Sequence, residues 1–109
     1  MGLYDIYETL SKIRLCDSAY DFSTEYLGKS KSYFSVIKAQ EKEASIDAIL
    51  RLERVLRQRI IDYSKYDYQC YKEKKGELIR LHKLANQLSK DYLIAKGIKK
   101  EGDYDYEIL

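Results

Sequence analysis

The sequence predicts an almost wholly helical protein. The chain has 109 residues, with no proline and five glycines, so residues that break helices are scarce. Hydrophobic residues make up 45% and charged residues 35% of the sequence. The apolar residues recur mainly at three- and four-residue steps, which place them on one face of a helix. Because the length suits one domain with a modest core, we expect a single all-α domain.

The first helix is predicted from about Leu3 to Leu15, because apolar residues recur along one face there. The second is predicted to begin at Asp17 or Ser18, since either side-chain oxygen can accept a hydrogen bond from a free amide of the first turn. Gly28 is predicted to end it in a left-handed conformation, which glycine adopts without strain. The residues predicted to face inward on this helix are Ala19, Phe22, Tyr26 and Leu27.

The remaining helices follow the same pattern. Ser30 is the predicted N-cap of a third helix over residues 31–39, with Phe34 and Ile37 facing inward. After a polar loop, Ser45 begins a long fourth helix that continues through Tyr63. The charged stretch KEKKG at residues 72–76 predicts a turn. A last helix of about twenty residues follows, and its apolar residues are Leu78, Leu81, Ala85, Leu88 and Tyr92.

We expect three parts in this chain. Residues 1–66 are predicted to form a helix-turn-helix domain, and residues 67–100 a helical extension that packs on the same domain. Residues 101–109 are predicted to be an acidic flexible tail. The apolar stripe of the last helix would complete the core by folding back on the fourth helix. Its alternative use is pairing with a second subunit.

Charge is distributed unevenly along the sequence. Residues 29–100 hold eighteen Lys and Arg against nine Asp and Glu, whereas residues 1–28 and 101–109 are net acidic. The total is only +2. A basic middle is compatible with nucleic-acid binding, although it is weaker than the charge typical of such proteins. Solvated helix faces account for the same distribution equally well.

Several classes of function lack their usual signatures. No apolar run reaches the roughly 20 residues of a membrane span, and the first residues, MGLYDIYETL, do not resemble a signal peptide. Cys16 and Cys70 are isolated, which indicates reduced thiols in the cytoplasm rather than a disulfide. His82 has no companion metal ligands, and no nucleophile or phosphate-binding motif is present. We therefore expect a cytoplasmic protein without catalytic residues, metal or cofactor.

One stretch resembles a known family. Leu27-Gly28 is followed by Ser30 and then, after the third predicted helix, by SIDAIL from Ser45 to Leu50. Residues 19–56 resemble the helix-turn-helix of the Cro and phage-repressor family, which has the same interval between the turn glycine and that second serine. FSTEYLGKSKSYFS is also similar to small uncharacterised bacterial and phage proteins with a repressor-like motif. The resemblance implies a repressor-like helix-turn-helix bundle, here with a C-terminal long-helix hairpin extension.

The resemblance also implies a mode of binding to double-stranded DNA. In this family the first helix of the unit crosses the phosphate backbone, and the second inserts its N-terminal half into the major groove. The base-reading residues would be Ser30, Lys31, Ser32, Ser35 and Lys38. The phosphate-contacting residues would be Ser18, Tyr20, Lys29, Tyr33 and Lys42. Because one such module buries little surface, a homodimer on a short palindromic site is expected.

The chain departs from the family pattern at several positions. Lys29 follows the turn glycine, where the family usually has an apolar residue. Thr24 stands where a small alanine is usual, and Ser23 where the family has an apolar residue. Phe22 could fill that core site only if the second helix were rotated or differed by one residue. Three further departures are Lys38, Gln40 and Ala44, where Glu, Gly and Pro are common. These changes bear on DNA docking more than on the fold.

Two functions follow from these observations. The leading hypothesis is a sequence-specific DNA-binding protein that regulates transcription through a major-groove recognition helix. The alternative is a small phage or bacterial protein that uses the same fold, with its twelve tyrosines, to bind another protein as an inhibitor or adaptor. The modest net charge and the acidic ends favour the alternative.

Overall fold

The computed structural model describes residues 2–65 and 68–95. Within them the elements are α1 (Gly2–Lys12), α2 (Ala19–Asp21) continuing as a π-helical segment (Phe22–Tyr26), α3 (Tyr33–Ala39), α4 (Ile46–Tyr63) and α5 (Gln69–Ala95). The described part of the chain contains no strand, so the all-α class is confirmed. The predicted boundary at residues 66 and 67 and the predicted tail at residues 101–109 lie outside the described residues.

Helix α5, with 27 residues, is the longest of the described helices. It packs along α4 and also against α1, while the π-helical segment contacts α4 and α3. Leu52 and Leu56 of α4 and Leu78 and Leu81 of α5 are fully buried. The apolar residues Leu78, Leu81 and Ala85 therefore complete the core of one chain by folding back. None of the helices in residues 2–65 and 68–95 is long and apolar enough to cross a membrane.

An aromatic cluster joins α1 to the α2–α3 region. The rings of Phe22 and Phe34 meet edge to face, with their centroids 4.8 Å apart. Tyr7 of α1 contacts Phe34 at 5.1 Å and Phe22 at 5.4 Å between ring centroids. Because Phe22 and Phe34 are almost completely buried, this cluster fixes the position of α3 against the rest of the protein.

A buried carboxyl group lies between α4 and α5. Glu53 is only 5% exposed, and its Oε1 accepts a hydrogen bond from the Ser89 hydroxyl. Burial raises the pKa of Glu53 above its ordinary value, and the Ser89 hydroxyl opposes that shift only in part. Burial at this position therefore favours the neutral carboxyl group over the charged carboxylate.

Replacing Glu53 with glutamine is expected to change the dependence of stability on pH. Since the folded pKa is raised, the folded chain binds the proton more tightly, and the contribution of Glu53 to stability is largest below the unfolded pKa of about 4.5. That contribution is lost as pH rises through the folded pKa. Glu53→Gln removes this loss, so its free energy of unfolding should decrease less with rising pH than that of the wild type.

Urea unfolding across a pH series measures this difference. Glu73→Gln is the control, because Glu73 is exposed on α5. If both variants kept the pH dependence of the wild type, the buried position of Glu53 would have no such effect on stability.

Two helix boundaries predicted from the sequence are wrong. Helix α1 ends at Lys12 rather than near Leu15, because Arg14 has a positive φ of 62°, which a right-handed helix does not permit. Helix α3 begins at Tyr33 with Ser32 as its N-cap. Ser30 instead opens a preceding turn, in which its carbonyl accepts from the Tyr33 amide.

The turn predicted at residues 72–76 is also wrong, since α5 runs through it from Gln69. Lysine and glutamate favour helices. The absence of apolar periodicity in this stretch therefore marks an exposed part of the helix rather than a break. Gly76 is exposed and costs a helix only about 1 kcal/mol. The break between α4 and α5 lies before Gln69 instead.

Candidate nucleic-acid interface

The segment that precedes the glycine turn is wound more loosely than an α-helix. Ser18, one of the two predicted N-caps, accepts a hydrogen bond from the Asp21 amide through its side chain. The Leu27 amide donates to the Phe22 carbonyl five residues earlier, as in a π-helix. The extra residue in this turn allows both Phe22 and Ser23 to be fully buried. The predicted burial of Phe22, Tyr26 and Leu27 is confirmed, whereas that of Ser23 was not predicted.

Ser23 connects the π-helical segment to α3. Its hydroxyl donates to the Ala19 carbonyl and accepts from the Phe34 amide, each at 2.9 Å. The first amides of a helix have no partner within it, and Ser32 makes no side-chain cap for α3. A side chain from the preceding helix therefore supplies part of the cap, which is why the polar Ser23 is buried.

Gly28 makes the turn between the π-helical segment and α3. Its φ is +65°, and the next amide, that of Lys29, donates back to the Ser23 carbonyl at 2.9 Å. This geometry agrees with the predicted left-handed end of the second helix. A Cβ atom at Gly28 would also lie 3.3 Å from Cγ of Arg51, so the turn is packed directly against α4.

Replacing Gly28 with alanine is expected to lower the free energy of unfolding by about 1–2 kcal/mol, because an L-residue is strained at this positive φ. Gly76→Ala is the matched control. Gly76 lies within α5, and a Cβ atom there would meet no atom within 4 Å, so this variant should gain about 0.5–1 kcal/mol. Thermal or urea unfolding measures both changes. Equal effects of the two substitutions would contradict the assignment of a strained backbone at Gly28.

Four of the predicted base-reading residues lie together. Ser30, Lys31, Ser32 and Ser35 are exposed in the turn before α3 and in its first half. No described residue forms an ion pair with Lys31. We call these four residues the α3 strip. Hydroxyl groups and a free ammonium group can both bond to base edges or phosphates.

The other predicted residues at this end of α3 are held by internal contacts. Nζ of Lys29 lies 2.6 Å from Oδ2 of Asp47 in α4. This hydrogen bond, followed by one from Ser45, holds the pKa of Asp47 at about 2. The Tyr33 hydroxyl accepts from the Ser45 amide at 2.9 Å. Lys29 and Tyr33 therefore tie the turn and α3 to the start of α4.

Two predicted cations lie away from the α3 strip. Nζ of Lys38 stands 4.2 Å from the centre of the Tyr4 ring, so a cation–π contact holds it over α1. Lys42 lies in the segment after α3, and both lysines line a cavity behind α3. The structure thus separates Lys38 and Lys42 from Lys31. Of the predicted phosphate-contacting residues, Tyr20 is freely accessible, with 60% of its surface exposed.

Arg51 is a candidate that sequence reasoning missed. It is exposed on α4, its side chain lies beside Gly28, and no described residue forms an ion pair with it. Arg51, Arg54 and Arg57 recur every three residues in SIDAILRLERVLR, and that spacing on a predicted helix was the available signal. Arg51 supplies a positive charge beside the turn, where Lys29 is already paired with Asp47.

The two cysteines and the histidine do not form a catalytic or metal-binding group in the described part of the chain. Cys16 is buried and Cys70 exposed, and both are free. Burial raises the pKa of the Cys16 thiol to about 11, which makes it a poor nucleophile. Burial, followed by the charge of Arg57, lowers the pKa of His82. In the described part of the chain, no group of three His, Cys, Asp or Glu side chains has the arrangement of a metal site.

The fold and the α3 strip define a small all-α protein that presents polar side chains at the start of a short helix beside a glycine turn. The chain belongs to a family of unknown function (DUF6626), whose model matches residues 3–96. Apart from Gly2, that match includes the five α-helices of residues 2–65 and 68–95. No curated protein and no solved structure gives a significant match to this chain.

Proposed function

We propose that this protein is a sequence-specific DNA-binding protein of the helix-turn-helix type, with α3 as the recognition helix in the major groove. The observation that carries this proposal is the α3 strip: three serines, and a lysine with no ion pair to any described residue, exposed in the turn before α3 and in its first half, while Phe34 on the same helix is fixed in the aromatic core. A rigid helix with short polar side chains near its start can approach base edges closely.

The residues divide between base reading and phosphate binding. Lys31 can donate to O6 and N7 of guanine, and the serines can donate to or accept from several bases. Arg51 beside the turn and Tyr20 on α2 are proposed as phosphate contacts. Lys29 is assigned to the Asp47 ion pair and Tyr33 to the Ser45 amide, so neither is among the proposed DNA contacts. Lys38 and Lys42 are likewise left out, because they lie at the cavity.

We further propose that the protein acts as a homodimer on two half-sites and regulates transcription. A single helix-turn-helix module buries only about 600–1,000 Å² of protein surface on DNA. Two copies related by a twofold axis would double the contacts, and the site would then be palindromic.

The test is binding of the full chain to a fluorescent random-sequence duplex over a salt series, with Lys31→Ala and Arg51→Ala beside the wild type. Each substitution that removes a cation from a phosphate contact should reduce the magnitude of the slope of log K against log salt by about one. Lys83→Ala is the matched control, because it removes the same charge from an exposed position on α5.

Two results are decisive. A smaller slope for Arg51→Ala and weaker binding by Lys31→Ala, with both quantities unchanged for Lys83→Ala, would support the proposed surface and justify selection of a preferred sequence. Equal slopes for all three variants, or no binding at low salt, would contradict it.

A second candidate function is binding to another protein. Three of the helices carry an exposed large apolar side chain. Tyr20 on α2 is 60% exposed, Val36 on α3 is 44% exposed and Leu50 on α4 is 43% exposed. Apolar side chains of this kind are typical of protein interfaces. Replacing Val36 and Leu50 with serine would weaken a protein complex strongly, whereas the salt slope on DNA would stay nearly the same.

A further inference from the structure

A cavity of about 300 Å³ lies behind α3. It is partly open to solvent and is lined by the start of α1, the inner face of α3, the segment that leads into α4, and the C-terminal part of α5. Its apolar walls are formed by Leu3, Phe34, Ile37, Ala44, Ile49 and Leu88. This volume is at the lower end of small-molecule binding sites, and an apolar cavity of about half that volume is sufficient for benzene.

The charged residues of the cavity cancel one another. Lys38 and Lys42 line it together with Glu43 and Asp91, so two positive charges stand beside two negative ones. Two of these charges already have partners: the ammonium of Lys38 lies over Tyr4, and Oδ1 of Asp91 accepts from Gln87 at 2.7 Å. A ligand with a net charge would meet a repelling charge for each attracting one. Charge complementarity thus favours an occupant without net charge.

We propose that this cavity is a binding site for a small apolar molecule without net charge, of about the size of an indole. The apolar body would contact Phe34 and Ile37, and any polar atom would remain among the charged groups. Because Phe34 and Ile37 belong to the inner face of α3, the bound molecule would also hold that helix in place. This site does not depend on whether α3 binds DNA.

Indole is a suitable probe, because the chain contains no tryptophan. Its fluorescence can be excited beyond the tyrosine absorption band, so titration of the full chain should give a saturable change without protein background. Binding should also raise Tm, since a ligand that binds only the folded state stabilises it. Indole-3-acetate and tryptamine carry the same ring with a negative and a positive group, and both should bind more weakly than indole.

Variants that fill the cavity test its location. Ala44→Phe places a ring inside it, and Ala95→Phe does so from an exposed position at the end of α5, where the risk to folding is small. Each should weaken indole binding by about tenfold or more. Ala39→Phe, on the exposed side of α3 and not in the lining, should leave it unchanged.

Three results would contradict the proposed binding site. Unchanged affinity in a folded Ala95→Phe variant would place the indole elsewhere, and no saturable binding by the wild type would remove the proposed site. Tighter binding of indole-3-acetate or tryptamine than of indole would overturn the assignment of an uncharged ligand.

Discussion

Replacing Phe34 with alanine is expected to lower the free energy of unfolding by about 3–5 kcal/mol. Phe34 is 2% exposed, and its ring contacts those of Phe22, Tyr7 and Tyr4. The substitution leaves a hole at the point where α1, the π-helical segment and α3 meet, and these elements cannot close it without moving. Urea unfolding followed by circular dichroism measures the loss.

The control for this prediction is Val36→Ala on the same helix. Val36 is 44% exposed, so its truncation should change stability by about 0.5 kcal/mol or less. A loss below about 1 kcal/mol for Phe34→Ala would mean that α3 is not anchored by the aromatic cluster.

Replacing Ser23 with alanine is expected to cost about 1–3 kcal/mol, the penalty of leaving a buried polar group without a partner. The Phe34 amide would lose the Ser23 hydroxyl, which accepts its hydrogen bond inside the protein. Since that bond joins the π-helical segment to α3, the amide of Phe34 should also exchange its hydrogen faster in the variant.

Thr24→Val is the matched control, because Thr24 makes a similar hydrogen bond to the carbonyl four residues earlier but accepts none from α3. It removes one hydroxyl from the same segment and should cost about 0.5 kcal/mol or less, as expected of a surface change. Equal losses for the two variants would show that the link between Ser23 and Phe34 adds nothing to stability.

Most of the core could be predicted from sequence, because apolar periodicity reports directly on which side of a helix is buried. Phe34, Ile37, Leu52 and Leu56 are buried as their spacing indicates. The sequence indicated that Phe22 could fill its core site only if the second helix were rotated or differed by one residue. It did not indicate the burial of the polar Ser23, which depends on its bond to the distant Phe34 amide.

Helix ends were harder to predict than helix faces. The positive φ of Arg14 ends α1 without a glycine to signal it. In α5 the stretch KEKKG was misread as a turn, because polar sequence in a long helix marks exposure as readily as it marks a break.

The candidate interface was only partly accessible to sequence reasoning. Lys31 and Ser35 are exposed, as expected of polar residues outside the apolar stripe formed by Phe34 and Ile37. By contrast, the pairing of Lys29 with Asp47 and the position of Arg51 beside Gly28 bring together residues from separate helices. Such contacts decide which cations remain available to a ligand, and the pattern along one helix does not contain them.

The most direct test of the proposed DNA-binding surface is a chemical-shift map of the isotope-labelled chain on addition of a duplex at low salt. The proposal predicts that the amides of Lys31, Ser32 and Ser35 shift most, together with the side chain of Arg51. Amides of Ile79 and Lys83 on α5 should stay in place. Shifts concentrated on α5, or none at a salt concentration that favours phosphate contacts, would contradict a recognition role for α3.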